Sequence, residues 1–389
     1  MKTELTSSNE SWLREKLKTK DEIFTVAVPA SLIILGDHTH YNDGIILSCA
    51  IDRYAVASIR KREDDELNIN FCDCELSYKS SLKKCSPESV TCGQVSFNEL
   101  LKIIKEEKII NSGFDCSICS NIPAAIGLVS VAAHQMALLM ALNASGNSSL
   151  THEEMIRISR EAELKTIGPI SNRAHHRTVL DSVKKEIVFN DLRNDFAKSI
   201  SLGKDYKIVI SDTGKIIGEI ENICNERISE CKVGVEGLRL YIWGIKNLRD
   251  VKIDFLKRHV NMIPHRVYRR VYYNVSERIR VEQAIESLSK PDINIFASQI
   301  SESHVSLREE YEIGSEKLDY LTNTSKQIKG NIASKMISCS PIEGVFSLVE
   351  HKHVENFASE LKNKYKTKYG NELITYILNI EDGVCVAKS

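Results

Sequence analysis

Residues 122–142, IPAAIGLVSVAAHQMALLMAL, contain no charged side chain and show no polar face. A helix that is apolar all round must be covered all round, either by lipid or by the rest of a globular core. Its length would suit a membrane span. However, Pro123 opens it, His134 and Gln135 interrupt it, and no other segment of the chain looks similar. The stretch therefore reads as a helix buried in a globular core. A chain of 389 residues is long enough to build that core in two or three domains, or in two joined lobes.

The segments around this helix supply the covering layers. Residues 22–28, 44–60, 67–73 and 114–120 are β-branched and apolar and read as strands. Residues 97–108 have helical spacing, and Thr151 with Glu154 forms a capping box ahead of another helix. A strand at 206–211 opens the second half. Helices follow at about 219–247, 266–287, 292–302 and 315–327. Strands return around 334–350, and a helix at 353–366 and a strand at 373–379 finish the chain. This order predicts an α+β fold, not strict βαβ alternation. The polar start, MKTELTSSNESWLREK, reads as a loose arm over 1–20.

Charge narrows the function. Lys+Arg total 52 against 53 Asp+Glu, a net charge of −1. That balance argues against general binding to nucleic acid or to a membrane surface. The N-terminus lacks an apolar signal region, so the eleven cysteines are expected to be free thiols in the cytoplasm. Cys116 and Cys119 form a CxxC, but no second CxxC completes a four-cysteine metal site.

Residues 29–44, PASLIILGDHTHYNDG, resemble the galactokinase signature P-G-R-x-N-L-I-G-E-H-T-D-Y-N-x-G. Residues 302–312, ESHVSLREEYE, resemble E-S-H-x-S-L-R-D-D-Y-E of the same family. RISEC at 227–231 resembles its R-x-x-E-C, and 268–285 resembles a helix that opens with paired arginines. On these motifs the chain is identified as a member of the galactokinase branch of the GHMP small-molecule kinases. The resemblance implies two lobes around a cleft. An N-terminal ribosomal-protein-S5-like lobe would span 21–180, and a C-terminal ferredoxin-like lobe with extra helices 181–389. It also implies MgATP at a glycine-rich loop leading into a helix, with a sugar beside it. Backbone N–H groups and the helix dipole make such a loop attractive to phosphate.

The departures fall where that chemistry would occur. The family's catalytic Arg falls on Ser31 and its catalytic Asp on His175. The sugar-binding Glu becomes Asp37 and the sugar-binding Asp becomes His40, whereas His38 and Tyr41 match. The following Gln becomes His176, and the sugar-contacting Tyr becomes Cys224. The loop G-x-G-L-S-S-S-A becomes 125–132, AIGLVSVA. Gly127 and Leu128 remain, and Ser130 is the one hydroxyl left for Mg²⁺. Ile126 is expected to intrude where phosphate would approach. Phe97 falls where the family has an adenine-side Trp. The later glycine loop becomes 335–343, KMISCSPIE.

Losing a general base costs about 10²–10⁴ in rate, and losing the transition-state cation costs as much or more. The expectation is a galactokinase-like protein that has lost ATP-dependent sugar 1-phosphorylation and acts as a sensor, scaffold or ligand-binding homologue, with a protein partner among its options. The alternative is an active kinase for galactose or a related sugar, with ATP and Mg²⁺ as cofactors and His175 as base. The histidines allow three readings: hydrogen-bonded filling of a disused cleft, a transition-metal site through His40 and His175, or a pocket for a sugar-like or anionic ligand helped by Arg173 and Arg177. The pair Arg269–Arg270 reads as a solvated face.

Overall fold

The computed structural model describes every residue except 1, 73–75, 84–94, 125, 129, 290–292, 339 and 388–389. The chain begins with helix α1 (Lys2–Leu17), then strands β1 (Phe24–Leu35), β2 (Ile45–Lys61), β3 (Glu66–Phe71) and β4 (Leu76–Ser81). Helix α2 (Val95–Glu106), strand β5 (Phe114–Ser120) and helices α3 (Ser130–Ala144), α4 (His152–Thr166) and α5 (Arg173–Asp181) follow. Strands β6 (Glu186–Asp191) and β7 (Phe196–Ser201) precede β8 (Tyr206–Ile216). Helices α6 (Ile220–Arg239), α7 (Ile253–Arg258), α8 (His265–Leu288), α9 (Ile293–Glu309) and α10 (Glu316–Ser325) come next. Strands β9 (Asn331–Met336) and β10 (Ile342–Glu350), helix α11 (Val354–Tyr369) and strands β11 (Ile374–Asn379) and β12 (Cys385–Ala387) complete the chain.

The first sheet has eight strands. Its main path is β12-β1-β2-β5-β3-β4, with β6 on the free stretch of β2 and β7 outside it. The second has four, in the order β11-β8-β10-β9. The fold is mixed α+β, as expected. Helix α3 packs on β1 and β2 with Met136, Leu138, Leu139 and Leu142 fully buried. Its polar Gln135 is satisfied inside the core. It donates to Ser96 Oγ at 2.6 Å and accepts from Ser159 Oγ at 2.5 Å. The second sheet is buried on both faces: Ile208 and Ile210 join the core under α3, while Val209 between them joins a separate core under α6, α8 and α11. That is the period-two alternation of a strand between two layers. Among the described residues no helix is long and apolar enough to cross a membrane.

Three sequence readings need correction. The N-terminal arm is a helix: Asn9 and Leu13 of α1 are buried on the sheet. Asn9 Nδ2 donates to the Val56 and Ser117 carbonyls at 3.0 and 3.1 Å. A division at 180 does not follow the sheets, because β6 pairs with β2 and β12 with β1. The 219–247 helix stops at Arg239. Cys116 and Cys119 lie three apart on a strand, on opposite faces, and Cys119 Sγ donates to Asn9 Oδ1 at 3.0 Å.

Candidate functional site

A cavity of about 280 Å³ opens where the 36–44 loop, the 123–128 loop, the start of α5, the start of α6 and the 337–341 loop converge. Asp37, His38, His40, Gly127, Leu128 and His175 all line it, so six of the sequence-derived site residues come together. Glycine at 36 lets the first loop turn: its φ is +93°, and a Cβ there would lie 2.4 Å from the Ile45 carbonyl oxygen. The Gly36 N–H donates to Glu277 Oε1 at 2.9 Å, and Tyr273 Oη donates to the Asp37 carbonyl at 3.0 Å. Helix α8 thus holds the loop in place. Buried Glu277 is itself fixed by Arg280 Nε at 2.7 Å and Ser303 Oγ at 2.8 Å.

Within the cavity the charges are already spoken for. Asp37 accepts from Ser338 Oγ at 2.5 Å and forms an ion pair with the fully buried Lys335. Ser31 and His175 are bonded to each other, Oγ to Nδ1, at 2.7 Å. Burial pushes the His175 pKa down to about 3, and neighbouring His176 pushes the same way. Burial likewise takes His38 to about 3 and His40 to about 4. All three imidazoles are therefore neutral at pH 7. His40 Nε2 donates to the Pro169 carbonyl at 3.1 Å, which leaves Nδ1 as an acceptor without a partner.

Five other expected site residues do not line the cavity, Ser31 behind His175 among them. His176 is fully buried with its Nε2 3.2 Å from Glu163 Oε1. Burial raises the Glu163 pKa, but His176 and Ser171 more than offset this and hold it below its usual value. Tyr41 bonds its hydroxyl to that of Tyr311. Cys224 is buried on α6, whereas Ile220 and Glu221 on the same helix reach the cavity. Phe97 is packed in the core edge-on against Phe71, ring centroids 5.2 Å apart, so it offers no open face to an adenine. Ser130 starts α3, and its side chain lies outside the described residues.

The phosphate-loop expectation is half right. Ile126 does not intrude; it turns into the core, where it packs near Gly344. The crowding comes from the other side. Gly127 has φ +72°, and a Cβ there would meet Ile337 Cγ2 at 2.5 Å and Ser340 Cβ at 3.2 Å. Among the described residues no group of three or more His, Cys, Asp or Glu is placed to hold a metal, so the metal reading lacks a ligand set. Arg177 is spent on Glu153 at 2.5 Å and Asp195 at 3.0 Å, away from this cavity. Arg270 is not a solvated residue: it is fully buried, with Nε donating to Glu230 Oε2 at 2.8 Å. Lys335, Ile337 and Glu163 were not among the expected site residues, yet Ile337 and Glu163 line the cavity and Lys335 pairs with Asp37 beside it. A lysine at an inward position of a strand was the one signal available for the first.

The galactokinase galactose-binding signature matches residues 13–61, and the GHMP kinase N-terminal domain matches 96–174. The galactokinase of Fusobacterium nucleatum is 28% identical over 384 residues, covering 95% of this chain and 96% of that protein. That of Clostridium acetobutylicum is 29% identical over 370 residues, with 91% and 92% covered. The chain belongs to the galactokinase branch of the GHMP kinase family. Lactococcus lactis galactokinase, whose crystal structure is complexed with galactose, superposes with a TM-score of 0.89 at 21% identity over 98% of this chain and 99% of that one. Methanococcus jannaschii mevalonate kinase superposes at 0.65 with 16% identity, covering 94% and 100%. The galactokinase-family motifs take structural roles here. RISEC on α6 supplies Arg227, whose Nε donates to the Tyr311 carbonyl at 2.8 Å, and Glu230, which receives Arg270 of α8.

Proposed function

We propose that this galactokinase-family protein binds a sugar-like small molecule in its cleft and does not phosphorylate it from MgATP. One observation carries the reading: Ser31 and His175, which the motif resemblance sets at the family's catalytic cation and carboxylate, are bonded to each other at 2.7 Å. A neutral hydroxyl–imidazole pair supplies neither the positive charge nor the strong base that phosphoryl transfer needs. The cofactor fits poorly as well. No Lys or Arg among the described residues lines the cavity, whereas Asp37, Glu163 and Glu221 do. Ile337 and Ser340 sit on the glycine loop that would receive phosphate. The role that remains is a sensor or ligand-binding homologue. The cytoplasm suits its seven described free cysteines.

Likeness alone favours a second reading, an active ATP-dependent kinase for galactose or a related sugar. The relatives above are named galactokinases, and they match this chain nearly end to end. On that reading His175 is the base and the Ser130 hydroxyl serves Mg²⁺. A pKa of about 3 makes His175 a weak proton acceptor at neutral pH.

Calorimetric titration of MgATP into tag-free protein, with and without galactose, separates the two. No binding at millimolar MgATP, with no turnover on a sugar panel, is the expected result. Micromolar binding with turnover of roughly 1 s⁻¹ or more, abolished by His175→Ala, would establish the kinase instead.

A further inference from the structure

A second cavity of about 310 Å³ adjoins the first, and its lining is of the opposite kind. Arg160, Arg173 and Arg193 face it, with Asp43 the one carboxylate. His40 and Ser171 line both cavities, so the two share a wall. Two of the arginines are anchored. Arg193 donates to Asp250 and Asn247 at 2.7 Å each, with its Nε 3.6 Å from Asp43. Arg173 is tied to the Leu192 carbonyl and lies 3.4 Å from Asp195. Arg160 is different: its Nε is buried and has no hydrogen-bond partner among the described residues. Burial, and then the neighbouring Arg173, push its pKa down, with Glu163 and Asp195 offsetting this only in part.

A guanidinium held beside another cation with a buried, unused donor is costly in the empty protein. The natural relief is an anion with oxygens to match the planar fork. We propose that the ligand of the cleft is a sugar bearing an anionic oxygen group, a carboxylate or a phosphate, which Arg160 and Arg173 hold in the second cavity while the ring occupies the first. The inference rests on the sugar-binding reading above and names the ligand class for it. His40 stands between the two cavities. Its Nε2 is committed to the Pro169 carbonyl, and its buried Nδ1 has no hydrogen-bond partner among the described residues. The arrangement also explains where the cleft keeps its positive charge, since none lines the first cavity.

The test is calorimetry of the full chain with galactose, galacturonate, galactose 6-phosphate and inorganic phosphate, on the wild type, Arg160→Ala and Arg160→Lys. The expected result is that one acidic sugar binds roughly tenfold to a hundredfold tighter than galactose. That advantage falls close to one in Arg160→Ala and survives in part in Arg160→Lys. The tighter of the two acidic sugars identifies carboxylate or phosphate as the group. If galactose binds and neither acidic sugar binds more tightly, the inference is overturned and the sugar-binding reading stands. If an acidic sugar keeps its advantage in Arg160→Ala, the anion site lies elsewhere and the inference is overturned too. If no sugar of either kind binds, both fall together.

Discussion

Acid should loosen this protein through its buried histidines, and the size of the effect follows from the site. His38 and His175 have pKa values near 3 in the fold, against 6.5 for an unperturbed imidazole. In both cases burial is the leading cause. The unfolded chain therefore binds more protons than the folded one at any pH between these values. The stability these groups contribute is fully present above about pH 6.5 and is lost progressively as pH falls towards 3. Between about pH 7.5 and about pH 5, each such group costs roughly 2 kcal/mol, so the pair costs roughly 4 kcal/mol. His40, held at about 4 by burial, adds a similar amount in the same direction. Glu163, held below its usual pKa, also loses stabilisation in acid.

A comparison of variants isolates the histidine contribution. His175→Asn removes the titrating group and keeps a polar atom for Ser31. Urea unfolding followed by tryptophan fluorescence at the two pH values gives the loss for each protein. The variant should lose roughly 2 kcal/mol less than the wild type on acidification, whatever the substitution costs at neutral pH. The background titration of the carboxylates is common to both and cancels. Equal losses would refute the claim that His175 is held neutral by burial.

Three further outcomes test other parts of the structure. Lys335→Met strands the buried Asp37 carboxylate and should cost about 3–5 kcal/mol in denaturant unfolding, much of it recovered by adding Asp37→Leu; no recovery would mean the pair is not the cause. Gly127→Ala, at φ +72° and against Ile337, should cost about 1–3 kcal/mol, with Ile337→Ala restoring part of it. Deleting residues 1–18 removes the buried Leu13 and the Asn9 hydrogen bonds, and should lower Tm by several degrees in scanning calorimetry. An unchanged Tm would restore the loose-arm reading.

Much of the layer structure was legible because its signals are local. The apolar helix, the capping box at Thr151 and the strands β1, β2, β5 and β8 all follow from patterning within a dozen residues. Helix α1 was not legible, because only Asn9 and Leu13 of its described residues are buried and one of those is polar. Strands β6 and β7 were missed for a related reason. They sit beyond the main path of the sheet, and none of the six residues of β7 is buried. At the site, the motif around Asp37 and His38 led to the cavity, and the family alignment brought His175 to it. The crowding of Gly127 was misassigned to Ile126. Which of two isoleucines faces a loop depends on how residues 126 and 337, distant in sequence, come together. Arg270 was misread because an arginine on a helix is usually solvated, and its burial depends on the tertiary partners Glu230, Glu312 and the Glu310 carbonyl.

The same energetics explain how family motifs can persist beside an altered cleft. Arg227, Glu230 and Arg270 form one buried network joining α6, α8 and the Tyr311 segment, with Arg227 Nη1 3.1 Å from Glu230. Removing Glu230 takes a shared carboxylate from both buried arginines, at about 3–5 kcal/mol out of a total stability of about 5–15. Such residues are held in place by folding alone. Ser31 and His175 are under a different constraint. Their bonded neutral pair leaves no buried charge stranded, so the fold carries it without an ion-pair partner. Agreement at R-x-x-E-C and at 302–312 is therefore evidence for the scaffold, and it carries no information on catalysis. Activity has to be argued from the cleft, where Lys335 is neutralised by Asp37 and the arginines face the neighbouring cavity.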